Sequence, residues 1–142
     1  THDLPPAAGY LEYGHVKLRE QLGLLSGPVE EFQKSAEAEH NAMLSMLVDE
    51  GYLDASALED ELANENEIID ALYRGLKGSP CKLMAASIVD AVGEKRTQNQ
   101  PGTSNEYPNW RIPLADGDGN VVPLEQLFDN TRLQEIAAIM CG

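Results

Sequence analysis

Residues 29–50, VEEFQKSAEAEHNAMLSMLVDE, carry the clearest structural signal in the chain. Apolar or weakly polar side chains recur there at the spacing of one helix face, and these are Phe32, Ala36, His40, Met43, Leu44 and Leu47. Glu30 and Glu31 suit the positive end of a helix dipole. Gly51 suits the position just after a helix end. The stretch therefore predicts one long amphipathic helix.

Shorter helices are predicted on both sides of this segment, and the chain as a whole reads as predominantly α-helical. The predicted helical ranges are 7–12, 15–22, 54–62 (capped by Asp54), 66–76 and a last helix through Met140 capped by Asn130 or Thr131. The run 82–87, KLMAAS, follows Gly78-Ser79-Pro80 and fits either a buried strand or a helix. Residues 116–120, DGDGN, lie between apolar runs and predict a hairpin or tight loop.

Composition excludes several classes of function. The chain has 142 residues, 42 % apolar and 24 % charged, which suits one soluble globular domain. The net charge is −14, so we expect neither nucleic acid nor an anionic membrane as a partner. Between Ser26 and Asp70 lie thirteen acidic side chains and one basic side chain, Lys34. We read this segment as a solvated helical face, with a surface for a basic partner as the alternative.

The cysteines give no disulfide framework and no metal motif. Cys81 and Cys141 stand 60 residues apart without a CxxC pair. No apolar run approaches the length of a membrane helix, and the first residues do not resemble a secretion signal. We therefore expect reduced thiols and a cytoplasmic protein. No residue calls for a metal or an organic cofactor.

Two patterns that resemble metal sites fail on spacing. An EF-hand loop beginning at Asp116 would need Gly at its sixth position and Glu at its twelfth, where the chain has Val121 and Leu127. His15 and His40 have no second histidine or carboxylate at a recognised ligand spacing. We therefore predict a turn at 116–120 and place both histidines on the surface or on a helix face.

Two segments contain side chains suited to sugars. The first is Thr1-His2-Asp3. Its carboxylate could accept hydrogen bonds from two hydroxyls or stabilise an oxocarbenium-like transition state, although chain ends are often frayed. The second combines 98–103, QNQPGT, with 107–111, YPNWR. Its amides, indole and guanidinium suit a sugar-binding loop, and the alternative is that Tyr107 and Trp110 anchor the loop to the core.

Together the two segments resemble a known family. Residues 1–5, THDLP, followed by Gly9-Tyr10, resemble the end of the seventh barrel strand of amylomaltases, the 4-alpha-glucanotransferases also called disproportionating enzymes. Pro101-Gly102-Thr103, followed by Asn109-Trp110-Arg111, resembles the segment after their eighth strand. The resemblance covers nearly the whole chain and identifies it as the C-terminal portion of such an enzyme.

The resemblance implies a parent (β/α)8 barrel, an α/β fold, with the site at the carboxyl ends of its strands. It also implies a retaining transfer between maltooligosaccharides. By position, Asp3 matches the carboxylate that stabilises the transition state, and His2 matches its neighbouring histidine. The segment near the substrate groove corresponds to Pro101, Gly102, Asn109, Trp110 and Arg111.

The family places its nucleophile and its acid/base on earlier strands, so the isolated chain is predicted to be inactive. Residues 26–78 then form an acidic helical segment, 79–114 the last strand and substrate-side loop, and 115–142 a hairpin and final helix. Because one strand cannot close a barrel, we expect residues 82–89 to stay with the missing part, to adopt another structure or to pair between copies. An acidic interaction module and a noncatalytic glucan-binding domain remain as alternative functions.

Overall fold

Helices and connecting loops make up the chain. A computed structural model describes residues 3–142. Its helices are α1 (Ala7–Leu11), α2 (Gly14–Gln21), α3 (Val29–Asp49), a 3₁₀ helix (Ala55–Glu59), α4 (Glu65–Gly78), α5 (Ile88–Val92), α6 (Leu124–Leu127) and α7 (Thr131–Cys141). The prediction of a predominantly helical chain is confirmed. Among residues 3–142, no helix is long and apolar enough to span a bilayer.

The long helix α3 forms as its apolar spacing predicts. Ala36, Leu44 and Leu47 lie on its buried face, and α3 packs against α2 and α4. Gly51 follows the helix with φ of 74°, a left-handed conformation that glycine adopts at little cost. Beyond it, the Tyr52 amide donates to the Leu47 carbonyl at 2.9 Å, which closes the helix end.

The core lies where α4 meets α1, α3 and α7. Ile68 and Ile69 of α4 are fully buried, and Ile136 of α7 is nearly so. On the edge of the same contact, Arg132 of α7 reaches Asp70 of α4 with N–O distances of 2.8 and 3.3 Å. The core thus joins parts of the chain that are more than 60 residues apart, and it fixes the first helix relative to the last.

The short strand expected within residues 82–89 is wrong. Residues 79–87 are irregular, α5 begins at Ile88, and residues 81–88 are exposed, with Leu83 94 % exposed. A parallel strand needs neighbouring strands to pair its backbone groups. Residues 3–142 supply no such neighbour, so this apolar segment stays irregular and pairs with no strand.

The loop at 116–120 is a tight turn, as predicted, but it does not join two strands. A single antiparallel bridge between Ala115 and Val121 closes it. The Asp116 carboxylate accepts hydrogen bonds from the Asp118 and Asn120 amides at 3.0 and 2.8 Å. These bonds lower the pKa of Asp116, led by those from Asn120. Asp116 therefore stabilises the turn from within.

Two predicted caps are present, and one of them serves a shorter element than expected. Asn130 accepts from the Leu133 amide at 2.9 Å and begins α7. Asp54 accepts from the Ser56 amide at 2.8 Å, but it begins a 3₁₀ helix that ends at Glu59 instead of an α-helix to residue 62.

Candidate functional site

The fold brings together the two segments whose side chains suit sugar binding. The Asn99 side-chain amide donates to Asp3 Oδ1 at 2.6 Å, although the two residues are 96 positions apart in the chain. Both side chains remain accessible to solvent. His2, the other predicted residue of the first segment, lies outside the described residues.

Tyr107 anchors the second segment to the core. It is 9 % exposed, and its hydroxyl donates to the Thr97 carbonyl at 2.5 Å. Burial raises the pKa of this phenol, so it stays a donor at neutral pH. Of the two aromatic side chains weighed as anchors, Tyr107 takes that role.

Trp110 is presented to solvent. Its side chain is 63 % exposed, and its backbone has φ of 58°, a left-handed conformation that costs energy for a residue with a Cβ. The Trp110 amide donates to the Gln98 carbonyl at 2.9 Å, which helps to hold this conformation. The neighbouring Arg111 is also exposed. The loop therefore holds a large flat apolar surface outward.

Asn109 holds the loop in shape. Its Oδ1 accepts from the Gln100 amide at 2.7 Å, and its Nδ2 donates to Thr103 Oγ1 at 2.8 Å. Both ends of the amide are thus bonded within the loop. Pro101 and Gly102 form the exposed tip between these contacts, and Gly102 has φ of 85°.

A buried carboxylate lies at the base of the loop. Glu94 is 1 % exposed. Its Oε1 accepts from the Arg96 amide and Nε, both at 2.9 Å, while its Oε2 accepts from Arg96 Nη2 at 2.7 Å and the Ala115 amide at 3.0 Å. Burial alone would raise the pKa of Glu94, but the hydrogen bonds and charge of Arg96 outweigh it and hold the pKa below its ordinary value. Glu94 therefore ties the start of the loop to its end.

A cleft of about 300 Å³ opens beside Asp3. Its walls are Asp3, Leu4, Pro5, His15, Arg19, Thr97, Gln100 and Pro101. The His15 Nδ1 atom is buried and has no hydrogen-bond partner within residues 3–142. Burial lowers the pKa of His15, so the ring is neutral at physiological pH. The spacing of His15 had suggested no more than a surface or helix-face residue.

His40 is not a surface residue. Its side chain is 2 % exposed, and its Nε2 lies 2.6 Å from Glu61 Oε2. The ring also packs against Tyr13, with centroids 5.1 Å apart. His40 had appeared among the apolar positions of α3, and it does occupy the buried face of that helix. It holds α3 to the segment before α4.

The spacing of residues in the sequence did not predict the contact of Asn99 with Asp3. The amide-rich run around Asn99 did indicate a sugar-binding loop. Together the carboxylate, the amide and the exposed indole suit a neutral, hydroxyl-rich ligand. Within residues 3–142, no three His, Cys, Asp or Glu side chains form a group that could hold a metal ion.

Comparison with known proteins agrees with this chemistry. The family model described as 4-alpha-glucanotransferase matches residues 1–117, which include both segments. The chain belongs to the 4-alpha-glucanotransferase family. The resemblance to amylomaltases is thereby confirmed.

Individual relatives match nearly the whole chain. The 4-alpha-glucanotransferase of Mycobacterium tuberculosis strain H37Rv is 48 % identical over 96 % of the chain and 18 % of the relative. That of Haemophilus influenzae is 28 % identical over 94 % of the chain and 19 % of the relative. The crystal structure of amylomaltase from Corynebacterium glutamicum superposes with a TM-score of 0.86 at 38 % identity, covering 99 % of this chain and 21 % of that one. The chain thus spans about a fifth of the length of these relatives.

Proposed function

We propose that the full-length protein containing this chain is a 4-alpha-glucanotransferase that moves alpha-1,4-glucan segments between maltooligosaccharides. The observation that carries the proposal is the hydrogen bond from Asn99 to Asp3, which joins the two family segments into one site. The acidic interaction module is not favoured, because the family match runs through the whole acidic segment.

The reaction that we propose is a retaining double displacement. One carboxylate of the parent attacks the anomeric carbon and the glycosidic bond breaks, while a second carboxyl group protonates the leaving oxygen. In the second step that second group, now a carboxylate, takes the proton of an acceptor sugar hydroxyl, whose oxygen displaces the first carboxylate from the anomeric carbon. Asp3 stabilises the positive charge that develops on the sugar ring in both steps, and His2 contributes a hydrogen-bond donor beside it. The role of Asp3 requires its carboxylate to be ionised and held in place, and Asn99 supplies one fixed donor for that purpose.

The loop supplies the substrate contacts. The exposed face of Trp110 offers a platform for the C–H surface of a glucose ring. Arg111, Pro101 and Gly102 are further solvent-exposed residues of the same loop. Asn109 contributes by keeping the loop in the shape that presents them.

The catalytic machinery is divided between this chain and the rest of the parent. The nucleophile and the acid/base belong to segments of the family fold outside this chain, so residues 1–142 alone should release no glucose from maltotriose. The exposed, irregular residues 82–87 would pack against the remaining part of a (β/α)8 barrel in the parent. We further propose a cytoplasmic location, which fits two exposed free thiols, Cys81 and Cys141. Fractionation of cells expressing the full-length protein would test that location.

The decisive test is glucose release from maltotriose by the full-length protein with and without Asp3→Asn. Loss of one preorganised electrostatic contact costs about 10²–10³ in rate, so we expect kcat to fall by that factor in a folded variant. Asp129→Asn is the matched control, because Asp129 is exposed and lies in the turn before α7, outside residues 94–115 of the loop. Normal activity in Asp3→Asn would refute the role of Asp3, and no release by the unmodified protein would refute the transferase.

A further inference from the structure

A partly buried hydrogen-bond network contacts the start of α1, four residues after Asp3. The Tyr73 hydroxyl donates to Asp90 Oδ2 at 2.7 Å, and it accepts from the Ser87 amide at 3.0 Å. The other carboxylate oxygen, Asp90 Oδ1, accepts from the Ala7 amide at 2.7 Å. Three separate parts of the chain, namely the start of α1, the middle of α4 and the start of α5, therefore meet at one carboxylate.

The Tyr73 hydroxyl of this network keeps its proton. Tyr73 is 7 % exposed, and burial raises the pKa of its hydroxyl above the ordinary value. Tyr73 therefore remains a donor to Asp90 over the physiological range.

The connection from Ala7 back to Asp3 has little slack. Only Leu4, Pro5 and Pro6 lie between them, and each proline ring fixes its own φ near −65°. Pro6 is buried and has φ of −55°. A displacement of the Ala7 amide therefore passes along a stiff connection to the Asp3 backbone.

We infer that Asp90 and Tyr73 are positioning residues, which set the place of the Asp3 carboxylate through Ala7 and the Pro5–Pro6 connection. This inference rests on the proposed function. Asp3 is then held from two sides. Asn99 contacts its carboxylate directly from the loop, while Asp90 fixes the backbone that carries it. A shift of about 1 Å in a catalytic group can cost about 10²-fold in rate, so both anchors bear on the reaction.

The test measures kcat and KM for glucose release from maltotriose by the full-length protein carrying Tyr73→Phe or Asp90→Ala. Because Asp3 acts in the transition state, we expect kcat to fall about 10- to 100-fold while KM changes by less than about threefold. Tyr73→Phe removes one hydroxyl and keeps the ring, so it remains informative should Asp90→Ala fail to fold. Asp90→Asn keeps an oxygen for the Ala7 amide and should recover most of the loss.

A double-mutant cycle with Asp3→Asn separates positioning from general stability. If Tyr73 acts through Asp3, adding Tyr73→Phe to Asp3→Asn lowers kcat by less than about threefold. An equal fall in both backgrounds, or no fall in the single variant, overturns the inference and leaves the proposed function standing. Full activity of Asp3→Asn alone overturns the proposed function and this inference with it.

Two matched controls report on stability alone. Tyr52→Phe changes a tyrosine whose ring lies against Gly75 and Gly78 of α4. Asp70→Asn weakens the ion pair between α4 and Arg132 of α7. Asp70→Asn should lower the thermal midpoint without changing kcat, and Tyr52→Phe should leave kcat unchanged as well. A fall in kcat in these controls equal to that of Tyr73→Phe would show a general structural effect and refute specific positioning.

Discussion

Replacement of Glu94 by glutamine should loosen the loop that carries Asn99 and Trp110 while leaving the helices intact. Glu94 accepts four hydrogen bonds, three from Arg96 and one from the Ala115 amide. A glutamine has the same shape, but only one of its two terminal atoms can accept. In either orientation its NH₂ group must face two donors.

The energetic cost follows from those contacts. Two hydrogen bonds to a charged group are lost, worth about 1.5–3 kcal/mol each, and a buried unpaired amide costs about 1–3 kcal/mol. The Arg96 side chain is 45 % exposed, so water recovers part of its loss. Ala115 is fully buried, so the loss is not recovered if its amide faces the NH₂ group. We expect a net loss of about 3 kcal/mol, or roughly 10²-fold in the opening equilibrium of the loop.

Hydrogen exchange of the full-length protein measures this local opening directly. Peptides covering residues 94–115 should exchange roughly 10²-fold faster in Glu94→Gln, while peptides from α3 should be unchanged. Glu106→Gln is the matched control, because Glu106 lies in the same loop, is exposed and accepts one bond from the Ser104 amide. Unchanged exchange of residues 94–115 in Glu94→Gln would show that Glu94 does not hold the loop.

The same carboxylate predicts the dependence of the loop on pH. The pKa of Glu94 in the folded protein lies below the ordinary 4.5. Its stabilisation is therefore fully present above pH 4.5 and is lost as the pH falls through the folded-state pKa. After correction for intrinsic rates, exchange of residues 94–115 should rise below pH 4.5 in the unmodified protein. A larger rise in Glu94→Gln than in the unmodified protein would contradict this assignment.

Three further substitutions test other contacts in the full-length protein. Gly9→Ala would place a methyl group 2.2 Å from the Lys95 carbonyl oxygen, and the forced backbone shift should lower the unfolding free energy by about 1–3 kcal/mol, seen as a lower thermal midpoint. Arg132→Lys keeps the charge but loses the two-pronged contact with Asp70, so urea unfolding should show a loss of about 1 kcal/mol. Trp110→Ala should raise KM for maltotriose about tenfold, equal to about 1.4 kcal/mol of binding, with an unchanged thermal midpoint because the side chain is 63 % exposed. The Gly9 contact is refuted by an unchanged thermal midpoint in Gly9→Ala, and the Arg132 contact by an unchanged unfolding free energy in Arg132→Lys. The exposed role of Trp110 is refuted by a lower thermal midpoint in Trp110→Ala.

Helices were predictable from sequence because their hydrogen bonds are local and their buried face repeats. Helix α3 begins at Val29 as predicted and ends at Asp49, within one residue of the predicted end. The conformation of residues 82–89 was not predictable on the same grounds, and the expected strand does not form there. A strand depends on partners elsewhere, and the apolar residues of this run do not reveal whether a partner is present.

The sequence indicates which residue types form the candidate site, but it does not indicate which of them contact each other. The amide-rich loop stands out in the sequence, yet the pairing of Asn99 with Asp3 spans 96 residues and has no local signature. Burial of Glu94 was also hidden, because an acidic residue two positions before Arg96 reads as a solvated pair. The contact of His40 was hidden for the same reason, since its partner Glu61 lies 21 residues away.

The anchors of the site differ in kind from the core of the chain. Ile68, Ile69 and Ile136 pack the helices together through apolar burial, whereas Asp3 and its loop are held by a few hydrogen bonds, several of them at the surface. Local opening of such a segment needs far less free energy than opening of the core. Damage to the loop or to the Asp90 network should therefore disturb the geometry of the site while the helices stay folded. For that reason kcat and local hydrogen exchange resolve these roles, and the thermal midpoint does not.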